Sequence, residues 1–124
     1  KCEFFEWARV YDDYKGCTKK EIRRILKQKK PVVWKIDWQG ANTIKELMPG
    51  SVAILIAPSS YKILEKRLLM RGLDSLKTIK ARQKLNQNWL KNKHVYDYKV
   101  INREGKLEET IKKVAQIIKK ELKK

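Results

Sequence analysis

Residues 31–41, PVVWKIDWQGA, constrain this chain more than any other stretch. Three β-branched side chains and a Trp fall within residues 32–36, and that density predicts a short strand. Asp37 follows at once, then Gln39 and Gly40, and from Ala41 a helical spacing takes over through Ile44, Leu47 and Met48. Strand, acid, tight turn and helix make half of a βαβ unit. In open α/β sheets ligands gather beyond the carboxyl ends of the strands. Asp37 is therefore expected beside a ligand.

The rest of the chain alternates in the same way. Residues 4–10 (FFEWARV) mix apolar and charged side chains and read as a strand or a short helix, and residues 11–18 (YDDYKGCT) read as a turn. Thr18 and Glu21 have capping-box spacing for a helix with Ile22, Ile25 and Leu26 on one face, stopped by Pro31. Residues 52–57 (VAILIA) are continuously apolar, as in a strand buried on both faces. Pro58-Ser59-Ser60 then caps a helix with Ile63, Leu64 and Leu68 inward, ending at Gly72. Asp74 or Ser75 caps the next helix, whose buried positions are read as Ile79, Leu85 and Trp89. A third strand is expected over residues 97–101, and a last helix with Leu107, Ile111, Val114, Ile118 and Leu122 on one stripe. Strands alternating with helices predict a parallel sheet.

With 124 residues the chain suits one domain, and 42% hydrophobic residues argue against disorder. It holds no apolar run of membrane-spanning length and no signal-peptide pattern, and it opens on Lys1 like a fragment or a processed chain. Cys2 and Cys17 stand apart from each other, and His94 is the lone histidine, so no zinc motif forms; isolated cysteines suit a reducing cytoplasm. The net charge of +17 invites a nucleic-acid reading. The excess, however, is mostly Lys, lies on helical segments (+6 over residues 19–30, +8 over 61–94), and is not interleaved with aromatics. A dedicated nucleic-acid site is not expected.

Neither G-x-x-x-x-G-K-[ST] nor G-x-G-x-x-G is present. Arg67 and Arg71 lie one helical turn apart, with Arg82 on the next helix. A solvated face would explain Arg67 alone; three arginines around Gly72 and Asp74 favour a phosphate clamp. Glu6 lies among Phe4, Phe5 and Trp7. By default it is a surface acid, but with Asp37 it would make a carboxylate pair suited to the adjacent N–H donors of guanine.

Taken together, FFEWARVYDDYKGCTKKEI, VVWKIDWQGA, ILIAPSS, LEKRLLMRGLDS, IKAR and YDYKVIN resemble guanylate kinase, in order and over nearly the whole chain. The resemblance implies an α/β fold of the parallel-sheet, phosphate-loop kinase type, one incomplete domain over residues 1–124 without its first strand and phosphate loop. Residues 1–18 would belong to the GMP-binding lobe and 65–85 to the lid and its flanking helices. It implies transfer of the ATP γ-phosphoryl group to GMP, with Mg²⁺ accompanying ATP, in the cytoplasm. Glu6 and Asp37 are similar to the family's guanine-reading carboxylates, and Tyr14 and Gly16 to its N-Y-Y-G turn. Arg67, Arg71 and Arg82 resemble the arginines that hold the transferring phosphates, and Asn102 falls where the family meets adenine.

The chain also departs from that pattern. Lys15 stands for a tyrosine that contacts the GMP phosphate, and Cys17 for a Ser or Thr that bonds guanine. Lys35 stands for an acid near the metal and phosphates, and Arg103-Glu104 for an acidic pair. The 124 residues alone are expected to be inactive and poorly folded. Two other readings stay open: a catalytically dead guanylate kinase-like module that binds a partner protein, and a basic RNA-binding protein.

Overall fold

A computed structural model describes residues 3–10 and 13–124, and the side chains of these apart from residues 85–91. Cys2, the expected turn at Tyr11 and Asp12, and the side chains of Leu85 and Trp89 lie outside the described residues. The chain divides into two compact units, Lys1–Ser51 and Val52–Lys124.

The first unit opens with an antiparallel hairpin of β1 (Phe4–Val10) and β2 (Asp13–Thr18). Glu6 faces Cys17, Trp7 faces Gly16 and Ala8 faces Lys15, with an irregularity in register between Phe4 and Glu6. Strand, not helix, is thus the outcome for residues 4–10. The turn expected over residues 11–18 gives way to strand from Asp13 onward, because the free edge of β1 takes its hydrogen bonds from the next segment. Gly16 makes that pairing close: a Cβ there would lie 2.5 Å from the Glu6 carbonyl oxygen and 2.9 Å from Trp7 Cα.

Helix α1 (Lys19–Leu26) follows directly. Thr18 Oγ1 accepts from the Glu21 N–H at 3.2 Å. The reciprocal half of the capping box does not form, because both Glu21 oxygens take Arg24, at 2.6 and 2.9 Å. That pairing holds the Glu21 carboxyl below its usual range. The helix buries Ile22 and leaves Leu26 exposed.

Residues 32–36 do not form the expected strand. They run without regular structure, and Val33 is 84% exposed. The β-branched composition is real, but a strand exists only with a neighbour to complete its ladder, and among the described residues of this unit none pairs with it. Trp34 stacks on Phe5 instead, ring centroids 6.1 Å apart. The acid and helix that follow are as read: Asp37 is the N-cap of α2 (Trp38–Leu47), which buries Gly40, Ala41 and Ile44.

The second unit holds a parallel pair, β3 (Ile54–Pro58) and β4 (Tyr98–Asn102), in register from Ile54↔Tyr98 to Pro58↔Asn102. The expected parallel sheet is therefore present, small, and accompanied by an antiparallel hairpin in the other unit. Helix α3 (Tyr61–Arg71) packs on β3 and α5 (Leu107–Leu122) on β4, while α4 (Leu76–Lys91) packs on α3. Ser60 Oγ caps α3 by accepting from the Ile63 N–H at 3.3 Å, and Gly72 ends it at φ +71°. Ser75, not Asp74, caps α4 through the Thr78 N–H.

Two burial expectations change. Ala57 is buried on β3, but its neighbour Ile56 is 53% exposed, so one face of the apolar run is open. On α5, Leu107, Ile111 and Leu122 are exposed while Thr110 is buried. The inward face passes through Thr110, Val114, Ile117 and Ile118, because Thr110 is drawn in by its hydrogen bond to Asn102 Oδ1 at 3.1 Å.

The closeness of the hairpin at Gly16 is testable. Gly16→Ala forces backbone against backbone and is expected to destabilise the protein by about 1–3 kcal/mol. Urea unfolding reads this as a lower midpoint; an unchanged midpoint would mean that the strands separate at no cost.

Candidate functional site

The inner face of β1 presents Glu6, Ala8 and Val10, the period-two set of a strand. Opposite them come Lys15 and Gly16 from β2 and residues 34–37 from the segment before α2. These residues line a half-open cavity of about 380 Å³, within the usual range of small-molecule sites (roughly 300–1,000 Å³).

Glu6 is 4% exposed, and its Oε2 is buried without a hydrogen-bond partner among the described residues. Burial, and then the charge of Asp37, raise its pKa. Native proteins rarely leave a buried carboxylate oxygen unpaired. The Glu6 side chain also lines the cavity, so its carboxylate is the acceptor that a ligand N–H there would meet.

Asp37 is held on both oxygens. Its Oδ1 accepts from the Gly40 N–H at 3.0 Å and its Oδ2 from Gln39 Nε2 at 3.2 Å. Each carboxylate oxygen has a second lone pair to offer. The same Gln39 nitrogen donates to the Arg9 carbonyl at 3.0 Å, tying the start of α2 to β1.

Cys17 lies across the ladder from Glu6 and is half-buried. Burial, then Glu21 and Glu6, push its thiol pKa up, so at neutral pH it is an S–H and a weak donor. Of the residues singled out in the hairpin, the structure brings Glu6, Lys15 and Gly16 into the cavity wall together with Asp37. Cys17 lies beside that wall. Tyr14 is 71% exposed and rests against the Trp7 ring at 5.9 Å, away from it. Lys35 enters the wall although sequence reading marked it only as a departure.

A separate constellation lies in the second unit. Asp74 Oδ2 accepts from Arg82 Nη1 at 2.9 Å and from Arg71 Nη2 at 3.3 Å. Two guanidinium groups thus converge on one oxygen, which offsets their mutual repulsion. Arg67 is not part of this cluster: its Nη2 donates to the Asn102 carbonyl at 3.0 Å. That carbonyl closes β4 opposite Pro58, at the carboxyl ends of both parallel strands. Glu104, next but one, makes an exposed ion pair with Lys66 at 3.0 Å.

The joint role of Asp74 was not read from sequence, where it competed with Ser75 as a helix cap. Its signal was its place between Arg71 and Arg82, three and eight residues away. Gln39 and Gly40 were noted as a turn, without a part in the site.

The guanylate kinase family model matches residues 1–121. The chain is 40% identical to guanylate kinase of Rickettsia prowazekii over 116 residues, covering 94% of this chain and 58% of that protein. It is 42% identical to guanylate kinase of Hydrogenovibrio crunogenus over 100 residues, covering 81% of this chain and 49% of that protein. The crystal structure of guanylate kinase from Anaplasma phagocytophilum superposes with a TM-score of 0.70 at 27% identity, covering 96% of this chain and 55% of that one. The chain spans about half to three-fifths of the length of these relatives. An α/β fold with a small parallel sheet, and a family match over nearly its full length, show that this chain belongs to the guanylate kinase family.

Proposed function

We propose that the protein carrying this chain is a guanylate kinase, moving the γ-phosphoryl group of ATP onto GMP to give GDP and ADP. In this reading residues 1–18 belong to its GMP-binding lobe and residues 65–85 to its lid. The observation that carries it is the buried Glu6 side chain, which lines a ligand-sized cavity beside Asp37 and has an oxygen, Oε2, unpartnered among the described residues.

Guanine offers N1–H and N2–H side by side, and two carboxylates suit those donors. Adenine turns an unprotonated ring nitrogen toward the same place and is repelled. The Cys17 thiol supplies a weak donor to the base, while Tyr14, on β2 and turned away from the cavity, would reach the nucleotide only by moving. Lys15 and Lys35 in the cavity wall supply positive charge for the nucleotide's phosphate. Transfer itself is in-line displacement, in which the protein orients and neutralises charge. Arg71 and Arg82, gathered by Asp74, and Arg67 at the end of β4 are the groups proposed to meet the moving phosphates, with Asn102 near the adenine.

The family resemblance adds Mg²⁺ travelling with ATP. Among the described residues no group of three or more His, Cys, Asp and Glu could cage an ion. No described helix is long and apolar enough to cross a membrane. We place the protein's work in the cytoplasm, where both nucleotides are found.

Glu6→Gln turns an amide N–H₂ toward the guanine donors. Calorimetric titration of the full-length protein carrying this chain is expected to show GMP binding weakened by about 1.5–3 kcal/mol and the preference over AMP reduced. An intact preference would put the base elsewhere. Affinity for GMP should also fall as pH drops through the raised pKa of Glu6, sooner than for an ordinary glutamate, because protonation removes the charge and sets an O–H donor against the guanine donors. Stability runs the opposite way. The folded state holds this proton more tightly than the unfolded chain, so the cost of the buried charge is present above the folded pKa and is relieved as pH falls through it.

For the arginines the reading is kinetic. Arg71→Ala should lower kcat by about 10²–10³-fold with a modest change in KM for GMP, since its partner charge develops as the phosphoryl group moves. Steady-state rates with kcat unchanged would return Arg71 to a solvated helix face.

A further inference from the structure

We infer that Gln39 and Gly40 are positioning residues that set the base selectivity of the Glu6–Asp37 cavity without touching the base. The inference rests on the GMP reading and deepens it.

Two carboxylates can share the two donors of one base edge only at the right separation, and like charges drive them apart. Glu6 belongs to β1, while Asp37 begins α2. The Gln39 amide nitrogen spans that gap, donating at 3.2 Å to Asp37 Oδ2 and at 3.0 Å to the carbonyl of Arg9, on the same strand as Glu6. One side chain thus sets how far Asp37 stands from the strand that holds Glu6.

Gly40 acts on the other partner. A Cβ at this position would lie 2.8 Å from Glu6 Oε1, 3.3 Å from Glu6 Cδ and 3.1 Å from Ile36 Cβ. The shortest of these contacts is to the tip of a side chain, not to backbone. The fold can therefore admit the extra methyl by displacing the Glu6 carboxylate and shifting Ile36 slightly. Placement of the carboxylate suffers more than folding does. Gly40 lies inside α2, where Ala is the better helix former, which further offsets the crowding. At the same time the Gly40 N–H fixes Asp37 Oδ1 at 3.0 Å. Asp37, Gln39 and Gly40 together aim both acids.

The test compares GMP, IMP and AMP binding by calorimetry in the full-length protein carrying this chain, as wild type, Gly40→Ala and Gln39→Ala. IMP keeps the N1–H of guanine and lacks the 2-amino group, so the GMP-to-IMP ratio reports how well the acids are aimed. Each variant is expected to lose about tenfold or more of that ratio, while thermal unfolding of Gly40→Ala moves little. A merely structural role would lower Tm and leave the ratio unchanged. A wild type that prefers GMP to AMP, with the ratio intact in both variants, overturns this inference alone. A wild type without that preference overturns the GMP reading as well. If Gly40→Ala does not fold, the account of its Cβ is wrong for Gly40, and the ratio in Gln39→Ala decides for Gln39.

Discussion

The first unit is built around two acids that elementary electrostatics would keep apart. Glu6 is nearly sealed from solvent, has an oxygen with no partner among the described residues, and feels the charge of Asp37. Leaving a buried polar group unpaired costs about 1–3 kcal/mol, and more when it is charged. The surrounding residues keep that cost in place. Gly16 lets β2 press onto β1 at Glu6 and Trp7, and Gly40 leaves the space that the carboxylate fills. Asp37 is fixed as the helix cap of α2, and Gln39 ties that cap to β1. Binding sites commonly hold strain of this kind, because the ligand supplies the missing partner.

The second unit shows the same logic with the sign reversed. Arg71 and Arg82 would repel, and Asp74 gives them a common oxygen. The bond to Arg82 is shorter than the bond to Arg71, whose side chain is also the more exposed of the two. Arg71 is thus the arm more easily given up to another anion. Arg67 is committed to the end of β4. Three arginines that look equivalent along the chain are held in two different ways.

Much of the scaffold was legible from residue patterns. Ser60 and Gly72 bound α3 as their chemistry dictates, and the strands expected over residues 52–57 and 97–101 form the parallel pair. These features depend on local preferences that packing does not overrule. Residues 32–36 were misread because β propensity describes a side chain's fit to a sheet and does not supply the neighbouring strand. Residues 13–18 were misread for the opposite reason, since a partner strand was at hand and overrode a turn-like composition. On α5 the buried face moved to Thr110, a polar residue that an apolar stripe cannot reveal. Within the site, the acids and arginines were singled out by residue type, spacing and place in the fold, and the family resemblance then gave them roles. The helpers were not, because the role of Gln39 is a distance between two elements and that of Gly40 is an empty volume.

In the proposed guanylate kinase, the Glu6 carboxylate accepts from the N–H donors of guanine, and its protonation must then respond to GMP. Carboxyl ¹³C NMR of the glutamate-labelled protein tests it most directly, with the Glu6 resonance assigned by its loss in the Glu6→Gln variant. Without ligand, the titration midpoint should lie above the ordinary glutamate range. Saturating GMP should lower that midpoint, because donated hydrogen bonds favour the ionised form. A midpoint in the ordinary range that GMP leaves unmoved would mean that Glu6 is neither strained by burial nor bonded to the base.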